Sequence, residues 1–115
     1  NPLKALSTSE VFNAVKKKNN PGVKAHTFME GKLNLWFDWI NSMRNDLTSS
    51  AMNLVPEIRF ILDKLVTCDG AKVVRMSGSG ATCFALFENF DLLQDAKDKI
   101  GKDCPSFWCE KGQLI

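Results

Sequence analysis

The chain has 115 residues, 44% of them apolar and 24% charged, and a net charge of +2. That length suits one domain with one core, and the composition excludes a collagen-like or disordered chain. So small a net charge, with no basic stripe along one element, gives no reason to expect a nucleic acid or a membrane as partner, and no apolar run is long enough to span a bilayer.

Cys68, Cys83, Cys104 and Cys109 lack close pair spacing, and His26 is the single histidine. Neither a metal site nor a dense disulfide framework is expected from that set, and reduced thiols fit a cytoplasmic protein. The first residue is Asn1 rather than Met, with no cap or turn before it. This fits a piece of a longer protein and fits tag removal equally well.

In chain order, residues 3–6 read as a short extended segment. Ser7-Thr8-Ser9-Glu10 then has the capping-box pattern, with Ser7 as N-cap and Glu10 reaching back, and Leu6 and Val11 are spaced for a hydrophobic staple. Val11, Phe12 and Val15 fall on one side of the helix. Lys16-Lys17-Lys18 closes it, as cations favoured by the macrodipole, with a phosphate or nucleic-acid patch as the alternative, and Asn19-Asn20-Pro21-Gly22 stops it. Residues 19–31 read as a polar loop containing His26. From Leu33, the positions Leu33, Trp36, Phe37, Ile40 and Met43 recur at helical spacing, either as a core stripe or as a pocket lining.

Asn45 or Asp46 can cap the next helical region, where Leu47, Ala51, Leu54, Ile58, Ile61, Leu62 and Leu65 share a face. Pro56 lacks an N–H and clashes with the preceding turn, so it should split this region near Leu54 and Val55. After Cys68-Asp69-Gly70 come two strands, residues 72–76 and 82–87, the second apolar on both faces and so expected to be covered on both. Asn89 caps a helix over residues 90–100, with Gly101 as its stop. Residues 106–110 read as a last strand.

This order, an extended segment, helices, two strands, a helix and a strand, is the α+β plan of a split βαβ, ferredoxin-like sheet. Helices are expected on one face, with an extra helical insertion before the second strand.

Between the two central strands lies Ser77-Gly78-Ser79-Gly80. Two readings stand. Glycines allow positive φ and close backbone approach, and serine hydroxyls with successive N–H groups can donate to phosphate oxygens; the same residues also favour a hairpin turn. It is not a Walker loop, and Gly78-x-Gly80 lacks the third glycine of a dinucleotide fingerprint because Cys83 occupies that place. No Ser-His-Asp set can be built with His26 alone. An RNA-recognition sheet is disfavoured, since Cys83-Phe84-Ala85-Leu86-Phe87 has no basic companions and the chain has no Tyr.

The run from Arg75 through Ser77-Gly78-Ser79-Gly80-Ala81-Thr82 to Phe87, preceded by Asn45-Asp46-Leu47 and by residues 51–58 with Pro56, resembles the C-terminal domain of the GHMP family of small-molecule kinases. The similarity includes Ser7-Thr8-Ser9-Glu10-Val11-Phe12 and so spans nearly all of residues 1–115. The resemblance implies transfer of the ATP γ-phosphate to an alcohol group of a cytidine-diphosphate-linked small molecule in non-mevalonate isoprenoid biosynthesis. It implies that Ser77, Gly78, Ser79 and Gly80 face the phosphates, that Phe12 stacks on the cytosine, and that Thr8 lies nearby.

In that family ATP and magnesium are held mainly by an N-terminal domain that also carries the catalytic groups. No stretch here matches that domain, so no catalytic residue and no metal ligand is assigned. The chain alone is expected to be inactive and to partner its own N-terminal domain. The alternative is an independent ferredoxin-like module that binds a small ligand or a protein through the same loop.

Overall fold

The computed structural model describes residues 1–22 and 33–114. His26 and most of the expected loop lie outside the described residues. Helix α1 (Thr8–Asn13) is only six residues long, with Ser7 as N-cap and its side chain accepting from the Glu10 N–H. Val11 is fully buried and packs in one cluster with Leu6, so the staple pair does meet. Phe12 does not share that face, being 53% exposed. The helix stops at Asn13, which puts Lys16, Lys17 and Lys18 beyond its end and removes their macrodipole role.

Helix α2 (Leu33–Ser42) buries Phe37. Leu33 and Trp36, expected in the same stripe, stay partly exposed. Helices α3 (Thr48–Leu54) and α4 (Glu57–Val66) are separated at Val55 and Pro56, where a continuous helix would need the N–H that proline lacks. The break turns Leu54 outward and Val55 inward. The cap of α3 differs from expectation. Leu47 occupies that place without a side-chain bond, and Asn45, two residues earlier, accepts from the Leu47 N–H at 3.1 Å.

Strands β1 (Ala71–Met76) and β2 (Cys83–Phe87) pair antiparallel, with Met76 opposite Cys83 and Arg75 opposite Phe84. Successive residues of a strand point to opposite faces. Met76 and Cys83 pack against Val55 and Ile58, the α3–α4 side. Arg75 points the other way, and its guanidinium donates to the Ile40 carbonyl of α2. Helices therefore contact both faces, not one, which is why β2 is apolar on both sides. Helix α5 (Phe90–Asp103) is capped by the Asn89 side chain and buries Ala96 and Ile100. It runs through Gly101; the stop is at Cys104, which precedes Pro105 and is pushed out of the helical region.

Among the described residues the domain is thus mixed α and β, with five helices and a sheet of two strands. The two further extended segments do not join the ladder. Leu3 has φ +58, which interrupts an extended run, and Pro2 offers no N–H. Residues 106–110 are bent by a turn closed from the Phe107 N–H to the Cys104 carbonyl. The two segments still meet. Asn1 and Trp108 exchange hydrogen bonds in both directions at 2.9 Å, and the Asn1 side chain donates to Thr82 Oγ1 at 2.8 Å.

Candidate functional site

The loop after β1 is a tight turn, closed by the Ser77 N–H donating to the Thr82 carbonyl at 2.8 Å and the Gly80 N–H to the Ser77 carbonyl at 3.0 Å. Gly78 has φ +54 and Gly80 φ +87, conformations that side chains resist. The two glycines differ in surroundings. A Cβ on Gly78 would meet nothing within 4 Å, whereas one on Gly80 would sit 2.9 Å from Met76 Sδ and 3.3 Å from both Ile58 and Leu6. Gly78 faces open space. Gly80 is packed against the core and belongs to the scaffold of the loop.

Two segments hold the loop from outside. Thr8 Oγ1, in the first turn of α1, lies 3.0 Å from Ser79 Oγ. The Asn45 amide donates to the Met76 carbonyl at 3.1 Å and to the Gly78 carbonyl at 2.8 Å. The residues make the turn of the hairpin reading, and the turn leaves the N–H groups of Gly78 and Ser79 without an acceptor among the described residues.

A cavity of about 680 Å³ opens beside the turn. Phe12, Asn45, Ser77 and Gly78 border it together with Lys17, Lys18, Arg44 and Arg75. Phe12 and the first two residues of the turn, Ser77 and Gly78, thus share one concave surface, whereas Thr8, Ser79 and Gly80 are not on its lining. Lys17 and Lys18, read above as helix-terminal cations or as a patch, are part of its wall. Among the described residues Asp46 is the single carboxylate on the lining, and it pairs with Arg44 at 2.9 Å. The lining is therefore net cationic and suits an anionic ligand.

Asp46 is engaged by Arg44. Among the described residues no group of three or more His, Cys, Asp or Glu could hold a metal. Burial pushes the Cys83 thiol up to about 11, and desolvation raises Cys68 and Cys104 as well, so none of these three is an activated nucleophile. All four cysteines are free. No helix among the described residues is long and apolar enough to cross a membrane.

The chain belongs to the GHMP kinase family, whose model described as "GHMP kinases C terminal" matches residues 25–106. It is 41% identical, over all of its length, to a protein of Agrobacterium fabrum named 4-diphosphocytidyl-2-C-methyl-D-erythritol kinase. Proteins of the same name are 37% identical over all of the chain in Rhizobium etli strain CIAT 652 and 36% identical over 99% of it in Anaplasma phagocytophilum. The chain spans 38% of the length of each of these three relatives. No solved structure matches it.

Proposed function

We propose that the chain is the C-terminal, substrate-side domain of a kinase that transfers the γ-phosphate of ATP to 4-diphosphocytidyl-2-C-methyl-D-erythritol, in non-mevalonate isoprenoid biosynthesis in the cytoplasm. The observation that carries this reading is the shared cavity. An exposed aromatic ring, Phe12, and an open Ser-Gly turn border one cation-lined space. A ligand with a flat base at one end and phosphates at the other has that chemistry. Of the lining cations, Arg44 pairs with Asp46 and Arg75 donates to the Ile40 carbonyl, which leaves Lys17 and Lys18 available to an anion.

In this reading Phe12 stacks on the cytosine, and Thr8 holds the base-proximal end of the turn through Ser79. Ser77 faces phosphate oxygens with its hydroxyl, Gly78 and Ser79 face them with their N–H groups, and Gly80 anchors the turn in the core. Water is excluded from the cytosine by the Phe12 ring. ATP is the phosphate donor. Magnesium, the catalytic base and the main nucleotide loop belong to an N-terminal domain, which is this chain's principal partner.

The sheet is read as the inner pair of a split βαβ, ferredoxin-like sheet. The reciprocal bonds between Asn1 and Trp108 support that reading, since two residues that exchange both bonds form the unit of an antiparallel ladder. An independent binding module has less in its favour, as the relatives above are all named as one kinase.

The test is ATP-dependent phosphorylation of 4-diphosphocytidyl-2-C-methyl-D-erythritol by the full-length protein, followed by ADP release, beside the 115-residue chain alone. Turnover by the full-length protein and none by the isolated chain is expected. No turnover by the full-length protein overturns the substrate, and turnover by the isolated chain overturns the placement of the catalytic groups elsewhere.

A further inference from the structure

We propose that a second cavity, bordered by the segment after α1 and by helix α3, binds a phosphate group through Lys16, Lys17 and the hydroxyl of Ser50. Such a site stands apart from the kinase reading.

The cavity has a volume of about 460 Å³. Residues 14–17, just past the end of α1, border it, and so do Ser49, Ser50 and Asn53 of α3. Positions spaced by three and four lie on one face of a helix, so Asn53 joins the two serines there. The two cavities adjoin, since Lys17, Arg44, Asn45 and Asp46 border both. They differ in what they offer. Phe12 borders the larger one, whereas among the described residues the smaller has no aromatic ring on its lining, and so no flat face for a base.

Ser50 is the decisive residue. It is 6% exposed, the one buried residue among those described that carries a hydroxyl, amide or charged side chain. A serine within a helix commonly bonds the carbonyl one turn back, but the Ser50 hydroxyl has no hydrogen-bond partner among the described residues. Buried polar groups in native proteins are nearly always satisfied, by protein, by water or by a ligand. Among the described residues no side-chain polar atom is both sealed from solvent and unpaired, so the Ser50 hydroxyl has an opening. The cavity that Ser50 borders supplies it.

Lys16 and Lys17 supply charge. Neither forms an ion pair among the described residues. Arg44 is occupied by Asp46 and by the Pro21 carbonyl, and the same pairing neutralises the single carboxylate described on the lining. The charges of the two lysines are therefore unopposed, beside a hydroxyl that lacks a partner and the Asn53 amide. Phosphate oxygens accept from all three kinds of donor, and bonds between ionised partners are the strong ones.

The experiment uses the full-length protein with backbone ¹⁵N labels, as wild type, Ser50→Ala, the double variant Lys16→Gln with Lys17→Gln, and Lys102→Gln. Lys102, on α5 and not on the cavity lining, controls for loss of a surface charge. Titration with inorganic phosphate at constant ionic strength is expected to shift the Ser49, Ser50 and Asn53 amide signals saturably in wild type and in Lys102→Gln. The Kd read from these signals should rise about 3- to 10-fold in Ser50→Ala and more than roughly 10-fold in the double variant. Ser50→Ala removes one oxygen atom and keeps a good helix former, so the fold survives it.

A repeat with cytidine diphosphate present separates two sources of the group. Phosphate shifts that persist assign it to a separate ligand, and shifts that cytidine diphosphate itself produces at the same amides assign it to the occupant of the larger cavity; either result upholds the site. Two outcomes overturn the proposal: no saturable shift at these amides in wild type, or a Kd within about 2-fold of wild type in either Ser50→Ala or the double variant. None of these readings uses turnover, so a full-length protein that binds phosphate here but phosphorylates nothing would sink the kinase reading and leave the site standing.

Discussion

Thr8 Oγ1 and Ser79 Oγ lie 3.0 Å apart although 71 positions separate them in the chain. Through this pair the first turn of α1 is tied to the turn between the two strands. The bond is exposed, so its stabilisation of the fold is small, and its consequence is where it places Phe12 one helical turn further on.

Replacement of Thr8 by Val keeps the side-chain shape and removes the hydroxyl. Stability by urea unfolding should change by less than about 0.5 kcal/mol, as for most surface changes. In the full-length protein KM for the cytidine substrate should rise about 3- to 10-fold, the worth of one hydrogen bond. An unchanged KM would remove Thr8 from the site.

Phe12→Ala separates core packing from ligand stacking. The ring is 53% exposed, so the substitution should leave urea stability within about 1 kcal/mol of wild type. Stacking of a base on an aromatic ring is worth roughly 1–3 kcal/mol, so the affinity of the full-length protein for the cytidine substrate, by calorimetry, should fall by about that amount. A large stability loss with unaltered affinity would make Phe12 a core residue after all.

The two turn glycines should respond unequally to alanine. Gly78→Ala meets no atoms and carries only the strain of positive φ, a loss of about 1 kcal/mol. Gly80→Ala adds a Cβ 2.9 Å from Met76 Sδ in a packed cluster, and overpacking adds about 1–3 kcal/mol to the same strain. Urea midpoints of the two variants in the same opposite order would contradict the assignment of Gly80 to the scaffold.

Cys83 makes stability depend on alkaline pH. Its thiol is raised by burial from 9.0 to about 11 in the folded chain, so the folded state keeps its proton where the unfolded state has lost it. Stability contributed by the neutral buried thiol is full below pH 9.0 and is lost as pH rises toward about 11. Urea unfolding between those two pH values should show a steeper decline for wild type than for Cys83→Ala. Parallel declines would indicate that the thiol is not desolvated.

Local sequence determined much of this protein: the Ser7 cap and the Leu6–Val11 contact, the break at Pro56, the two strands, the Asn89 cap, and the turn at Ser77-Gly78-Ser79-Gly80. Each depends on covalent properties of one residue or its near neighbours, such as a missing N–H, a missing Cβ or a short side-chain acceptor, and these act over a few positions. Other features were settled by contacts at long range. Phe12 turned outward because Val11 filled the space under α1, and Gly101 stayed helical because Pro105, four residues on, was the stronger stop. The sheet took helices on both faces because α2 returned to Arg75. Asn45 and Thr8 reached the glycine turn from segments 31 to 71 positions away, and Lys17 reached the cavity beside it. Periodicity along a chain tells which side of a helix or strand is apolar, but only tertiary packing decides which polar groups meet across that distance, because their encounter is set by the cores on which their segments rest.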